Sequence, residues 1–471
     1  MRNFSILLLV FTVLFSCKEA DYYNKNALII DQVTLIDPID GSAKNKTVVV
    51  QNGKILKIIS SNKINLDSKN HIIDGKGKYL IPGLWDAHVH FAYLETLAPS
   101  MFDLFLRHGI TSVRDTGGKV AFVKHWKDSA IANPTEAPRV MMAGPLLDGT
   151  PNVYNGSSPR LPELSVGMAT IQDVEKEIKE LMAADVDLFK AYEMLLPEQF
   201  LKIMELAKAN GLKVTGHIPL SMDAISVSEA GLHSIEHLRN LDLSCASNAE
   251  ELLKERQTLL NQGSNRSGND LRNSVWKAQQ EIAIANFDQA KADTILATFK
   301  KNNTWQVPTL ALNTLFTEKY FADEEYQKSY ALLPSPLKKY WTERSNALKN
   351  YPVNTFRKKY DAWQTMMVGK INVTKIPIMA GTDTPIAYLV PGLSLHVELE
   401  ALVRAGLTNL EALQTATINP AKYFDLQKDL GRLQEGYYAD LVLLTENPLD
   451  NISHTKKIEV VIKAGKIYNP Q

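Results

Sequence analysis

The sequence predicts an α/β protein, a (β/α)8 TIM-like barrel with a small β-sandwich domain built from both chain ends. Three observations predict it. β-like apolar runs alternate with amphipathic helical runs through most of the chain. Both ends read instead as strand, turn and strand. The length, 471 residues, suits one large barrel with an appendage. Hydrophobic residues at 45% and charged residues at 22% are ordinary for a folded globular chain, which sets aside fibrous and multi-span membrane classes. Lys+Arg and Asp+Glu both number 52, so no global positive field draws in a polyanion, which argues against nucleic acid as a partner.

Taken in order, the first element is not part of that fold. Arg2, the apolar run Ile6 to Phe15, then Ser16 and Cys17 have the layout of an export signal. The run is too short for a bilayer-crossing helix, which needs about 20 apolar residues. Leu14-Phe15-Ser16-Cys17 resembles a bacterial lipoprotein box. That resemblance implies cleavage of residues 1–16, lipidation of Cys17 and a tether over 17–26. The protein is then exported and lipid-anchored to a bacterial membrane, on its periplasmic or cell-surface side. With Cys17 acylated, Cys245 stands alone, no intramolecular disulfide forms, and Cys245 is read as structural.

Residues 27–78 and 425–471 are expected to pair into the small β domain. Val48-Val49-Val50 and Lys54-Ile55-Leu56 flank Asn52-Gly53, a strong hairpin signal. Ala439 to Leu444 and Glu459 to Ile467 are strand-like again, with a Gly465 turn. The barrel spans 79–424, with strands expected at 80–90, 110–116, 139–143, 188–192, 213–217, 234–237, 306–309 and 376–381. Helices are expected at 170–183, 197–209 and 395–405. Residues 145–167 read as a long loop. Helical insertions at about 244–303 and 313–370 read as lids, substrate walls or homo-oligomer contacts.

Side chains two apart on a strand share a face, so His88 and His90 both enter the barrel where one cation could take both imidazoles. They end the first strand, and barrel active sites sit at strand carboxyl ends. Lys190 lies inside the apolar strand Leu188-Phe189-Lys190-Ala191. It is either salt-bridged or functional. A free lysine is neutral in only about one molecule in 2,500 at pH 7, a cost near 4.6 kcal/mol that two nearby divalent cations could supply. Once neutral it can add carbon dioxide and become a bidentate carbamate. His217 and His237 close the fifth and sixth strands, as metal ligands or as hydrogen-bonded structural histidines. Asp383 ends the eighth strand, which barrel closure sets beside His88 and His90. Tyr192, Tyr154 and Arg160 are candidate substrate contacts, the last two for a substrate carboxylate. Asp86 is read as orienting a neighbour rather than ligating.

This constellation resembles the amidohydrolase superfamily of metal-dependent hydrolases, in particular its imidazolonepropionase-like and prolidase-like branch. Ile81-Pro82-Gly83-Leu84 looks like the family's opening. Residues Ala412 to Ala421 and Ala439-Asp440-Leu441-Val442 look like its closing segments. The resemblance implies six metal-ligand positions, His88, His90, Lys190, His217, His237 and Asp383, and two divalent ions, zinc first, with manganese, cobalt or iron as alternatives. In this reading His88 and His90 hold one metal, His217 and His237 the other, and Lys190, carboxylated from carbon dioxide or bicarbonate, bridges them. A hydroxide between the metals attacks the carbonyl while Asp383 moves the proton to the leaving amine. The implied reaction is hydrolysis of C–N bonds in small amide substrates such as dipeptides or N-acyl amino acids. Cyclic amide or lactone hydrolysis is the enzymatic alternative, and a surface ligand-binding lipoprotein with an inactive barrel the non-enzymatic one.

Overall fold

The computed structural model describes residues 27–61 and 71–469. The expected signal peptide, the lipidation site Cys17 and the tether lie outside them. Among the described residues no helix is long and apolar enough to cross a membrane.

Both chain ends enter one eight-stranded sheet. Strands Gly41–Gln51 and Lys54–Ser60 pair antiparallel across Asn52-Gly53. Both turn residues have positive φ, 52° and 76°, the mirror-image turn that matches strand twist. At the other end, Ile458–Lys463 and Lys466–Ile467 pair across Ala464-Gly465, again with both φ positive. The two turns pack on each other. A Cβ on Gly465 would lie 2.8 Å from Gly53 Cα, so the seam between the chain ends needs the missing side chain. Leu441–Leu444 lies antiparallel to Tyr79–Pro82, which joins C-terminal to N-terminal strands directly. Beside the seam, Lys463 Nζ donates to both oxygens of Asp440 at 3.0 Å, and the Ala464 amide donates to Asp440 at 2.8 Å. Both side chains are buried.

The expected first strand divides at Gly83. Pro82 has no amide hydrogen to continue a ladder and the Gly83 amide turns to Asp440 O, so Tyr79–Pro82 stays in the end sheet and a new strand begins at Leu84. From there the parallel strands are β1 (Leu84–Val89), β2 (Ile110–Asp115), β3 (Arg139–Met142), β4 (Leu146–Gly149), β5 (Leu188–Ala191), β6 (Lys213–Gly216), β7 (Ser234–Glu236) and β8 (Trp305–Val307). β1, β2 and β3 form one sheet; β4 to β8 form another, with Ser165–Met168 added beside β4.

Three expectations need correction. First, residues 145–167 are not a loop. β3 resumes as β4 after Gly144, whose φ of 76° bends the chain, and Pro145. The remainder holds the hairpin Asn155–Ser158/Leu161–Glu163 and the strand Ser165–Met168. Second, 376–381 is not a regular strand. Pro377 lacks an N–H, so the segment is held by isolated bridges, Gln306 with Ile378 and Val89 with Thr384, and by Ala87 N–H to Ala380 O. Third, β7 and β8 stop short of His237 and Thr309, both of which turn into the left-handed region.

The helices follow from local chemistry. Ile171–Ala183 opens on a capping box between Thr170 and Asp173, Pro197 starts Pro197–Ala209, and Leu393–Arg404 replaces the expected 395–405. The apolar core lies between such helices and the parallel strands, through Phe189, Phe200, Val214, Ile235 and Leu402. Removing Asp440 strands the Lys463 ammonium in that seam, a loss of about 3–5 kcal/mol. We therefore expect urea denaturation to show Asp440→Ala destabilised by that order, and Asp429→Ala, whose ion pair with Lys54 is exposed, changed by less than about 1 kcal/mol.

Candidate active site

Asp86, His88 and His90 alternate to one side of β1, as the strand period requires. Asp86 accepts from the His88 amide (3.2 Å), the Thr382 amide (3.0 Å) and the Thr382 hydroxyl (2.7 Å). It therefore positions the segment next to Asp383 and leaves ligation to others. Burial raises its pKa to about 7 against those donors. Gly381 permits the approach: a Cβ there would sit 2.8 Å from that of His88. Asp383 then takes φ 65°, and His237 (61°) and Thr309 (46°) at this rim also lie in left-handed backbone, a strained conformation of the kind that clusters at functional sites.

Each candidate imidazole is oriented through its Nδ1. His88 Nδ1 meets Glu236 Oε2 at 2.6 Å and His90 Nδ1 meets Gly117 O at 3.1 Å. His217 Nδ1 meets Glu193 Oε1 at 2.7 Å and His237 Nδ1 meets Thr309 Oγ1 at 2.6 Å. With acceptors at Nδ1 of His88, His90 and His217, their Nε2 atoms are left for the cavity. Asp383 Oδ1 lies 3.0 Å from His90 Nε2 and 3.4 Å from His88 Nε2, and Oδ2 lies 3.7 Å from His237 Nε2. His88, His90 and Asp383 together could hold a metal ion, their nearest atoms all lying within 4.8 Å.

The charges favour a cation there. Burial, with Lys190 and Arg239, holds the His217 pKa well below its usual range, and burial does the same at His237, so both rings are neutral donors at pH 7. Burial opposes ionisation of Asp383, but His88, His237 and His90 outweigh it and hold its carboxyl well below the usual range. His90 moves the other way. Its bond to Asp383, with the charges of Asp383 and Asp115, overcomes burial and raises its pKa.

Lys190, on β5, is 1% exposed, and its Nζ has no hydrogen-bond partner among the described residues. Burial, with repulsion from Arg114, lowers its pKa to about 8 even though Glu236, Asp383 and Glu193 favour its charge. Glu236 is the hub beneath. Arg114 Nη2 donates to both its oxygens at 2.9 Å, Ser234 Oγ donates at 3.0 Å, and the Thr215 hydroxyl donates as well. Burial would raise the Glu236 pKa, yet Arg114, Lys190 and His88 hold it well below normal.

The structure thus gathers His88, His90, Lys190, His217, His237 and Asp383 around one small cavity of about 100 Å³, walled further out by Tyr154 and Tyr192. Tyr192 packs on the His217 ring, centroids 4.5 Å apart. Arg160 is exposed between the two strands of the Asn155–Glu163 hairpin and is absent from the cavity wall. The arginines that do line it are Arg239 and Arg272, with Trp276 between them. Sequence reasoning missed all three, and also Arg114, Glu193 and Glu236. A usable signal was present: Glu236 and Arg239 flank the candidate ligand His237, and Arg114 stands within the predicted strand 110–116. His233 and His396 are structural, accepting from the Val214 amide and bridging Thr455 to His108 O respectively.

Comparison with known proteins follows the same line. The model of a family described as the amidohydrolase family matches residues 79–301 and 346–468. Ochratoxinase of Aspergillus niger is 23% identical over 496 residues, aligning 92% of this chain with 85% of its own. Among solved structures, a Xaa-Pro dipeptidase with methionine in its active site superposes with a TM-score of 0.66 at 19% identity, covering 94% of this chain and all of its own. A bottromycin amidohydrolase gives 0.67 at 20% identity, covering 96% and 88%. At those identities the structures speak to fold alone.

Removing the Glu236 carboxylate leaves Arg114 buried without its partner. Glu236→Leu is expected to cost about 3–5 kcal/mol in urea denaturation, and Arg114→Met added to it to recover at least half. A Glu236→Leu chain as stable as the wild type would show that the pair does not carry this region.

Proposed function

The chain belongs to the amidohydrolase family, a hydrolase family, and from that premise we propose that it cleaves C–N bonds of small amides, dipeptides or N-acyl amino acids, with two divalent metal ions. One observation carries this reading: two buried imidazole Nε2 atoms and a carboxylate oxygen converge, with their outer Nδ1 atoms already engaged. Such a donor set suits a divalent cation, zinc in particular. The unpartnered Nζ of Lys190 beside it is what a carboxylated lysine would require. The circuit of parallel strands, read as a (β/α)8 barrel, would put all six donors at strand carboxyl ends, where such folds do chemistry.

In this reading His88 and His90 hold one metal, His217 and His237 the other, and carboxylated Lys190 and Asp383 complete the set. Bound there, the metals would supply an activated water at neutral pH and polarise the scissile carbonyl. The chain's own residues do the rest. Asp383, kept ionised by the surrounding rings, accepts a proton from the attacking water and delivers it to the departing nitrogen. Glu236 and Glu193 fix the tautomers of His88 and His217, so those Nε2 atoms stay lone-pair donors. Tyr154 and Tyr192 give the substrate an aromatic wall. The family match and the ochratoxinase relative support hydrolysis of an amide bond. For location, the reading keeps export and lipid anchoring at Cys17, supported by the pattern from Arg2 to Cys17.

Mass-spectrometric turnover of pooled dipeptides and N-acyl amino acids, by chain prepared with zinc and bicarbonate, tests this. Cleavage is expected, abolished by chelation and reduced at least about a hundredfold in Lys190→Ala. Turnover that survives both, or no cleavage by fully metallated chain, would sink the proposal.

A further inference from the structure

We propose that Arg239, Arg272 and Trp276 form a carboxylate subsite at the cavity mouth, so that the substrate bears a free carboxylate close to the bond that is cut. The inference rests on the hydrolytic reading above and names its substrate class.

Arg239 lies two residues past His237, while Arg272 and Trp276 come from one face of the inserted helix Gly268–Ala285, four residues apart. The two guanidinium groups lie on the Trp276 ring, 4.3 and 4.7 Å from its centroid. The indole nitrogen donates to Asn240 at 3.2 Å, which fixes the ring that holds both arginines. Arg272 is 8% exposed; its Nη2 donates to Asn269 at 2.8 Å and its Nη1 to the Tyr192 hydroxyl at 3.4 Å. Buried Nε atoms of both arginines have no hydrogen-bond partner among the described residues.

Neither guanidinium has a close carboxylate of its own among the described residues. Glu193 lies beside both, its Oε1 3.8 Å from Arg239 and 4.0 Å from Arg272, and that oxygen already takes the shorter bond from His217 at 2.7 Å. Asp148 and Asp242 act on Arg272 and Arg239 only at longer range, in a pocket where a mostly buried guanidinium without a hydrogen-bonded counter-ion is costly. An entering carboxylate supplies that hydrogen-bonded partner, and arginine is the side chain best shaped to receive one.

Position sets the reach. The Tyr192 ring lies on His217 and its hydroxyl meets Arg272, so the guanidinium is one tyrosine ring away from a candidate metal ligand. The same cavity is lined by the candidate ligands His217 and His237 and by both arginines. The carboxylate must then lie within a few bonds of the reacting carbonyl, as it does in a dipeptide or an N-acyl amino acid and does not in their amides.

Titration calorimetry of the full chain with N-acetyl-L-leucine and N-acetyl-L-leucinamide tests this after chelation, where neither cleavage nor metal–carboxylate bonding contributes. The carboxylate is expected to bind at least about tenfold more tightly than the carboxamide, with Arg272→Gln and Arg239→Gln each erasing most of the difference. In the metal-loaded chain the same discrimination is expected in KM. Equal affinity for the two probes in the wild type, or no binding of either, overturns the subsite without recourse to a variant. Discrimination without cleavage supports the subsite and counts against the hydrolytic reading instead.

Discussion

The site depends on one buried ion pair. Arg114 and Glu236 are both fully buried, on β2 and β7, and the guanidinium donates to both carboxylate oxygens. Removing two charges from water is expensive, and their attraction offsets the cost only when geometry is good and remaining lone pairs are satisfied. Here Thr215, Ser234 and His88 satisfy them. The consequence reaches the chemistry. Glu236 stays ionised, so His88 keeps its Nδ1 proton and turns Nε2 to the cavity. The Arg114 charge, close to Lys190, also helps to lower the lysine pKa. A structural ion pair and a reactive rim are therefore one electrostatic unit.

Above that unit, backbone geometry does the positioning. Asp383, His237 and Thr309 at the rim sit in left-handed backbone, and Asp86 ties Thr382 to β1 by accepting two hydrogen bonds from Thr382 and one from the His88 amide. The irregular last segment serves the same end. A regular strand through 376–384 would alternate its side chains, whereas bridges at Ile378 and Thr384 leave the chain between them to turn Asp383 towards His88 and His90. The chain ends contribute from outside, since Tyr79–Pro82 and Leu441–Leu444 pair directly before the chain enters β1.

Much of this was legible in the sequence, for identifiable reasons. Strand parity put Asp86, His88 and His90 on one side, and Asn52-Gly53 specified its turn because both positions need positive φ. Periodicity found Ile171–Ala183 and Pro197–Ala209 within a residue. The candidate ligands converge because five lie in or just past the carboxyl ends of parallel strands, and the irregular segment before Asp383 brings the sixth to them. What was not legible depends on contacts distant in sequence. Arg114 and Glu236 are 122 residues apart, and each alone reads as a charge at a strand end. Arg272 and Trp276 read as part of a polar helical insertion, and only tertiary packing brings them over Tyr192. Arg160 drew attention as a cation in a Gly- and Pro-rich segment, but that segment folds into strands that leave it in solvent. The break at Gly144-Pro145 was hidden because each half of the strand is too short to show a period.

The most direct measurement is the metal content of the purified chain after incubation with zinc and bicarbonate, for wild type, Asp383→Ala and Lys190→Ala. About two ions per chain are expected for the wild type, falling to about one or fewer in either variant. A wild-type content near zero, or one that neither substitution changes, would contradict a cation site built from these six side chains.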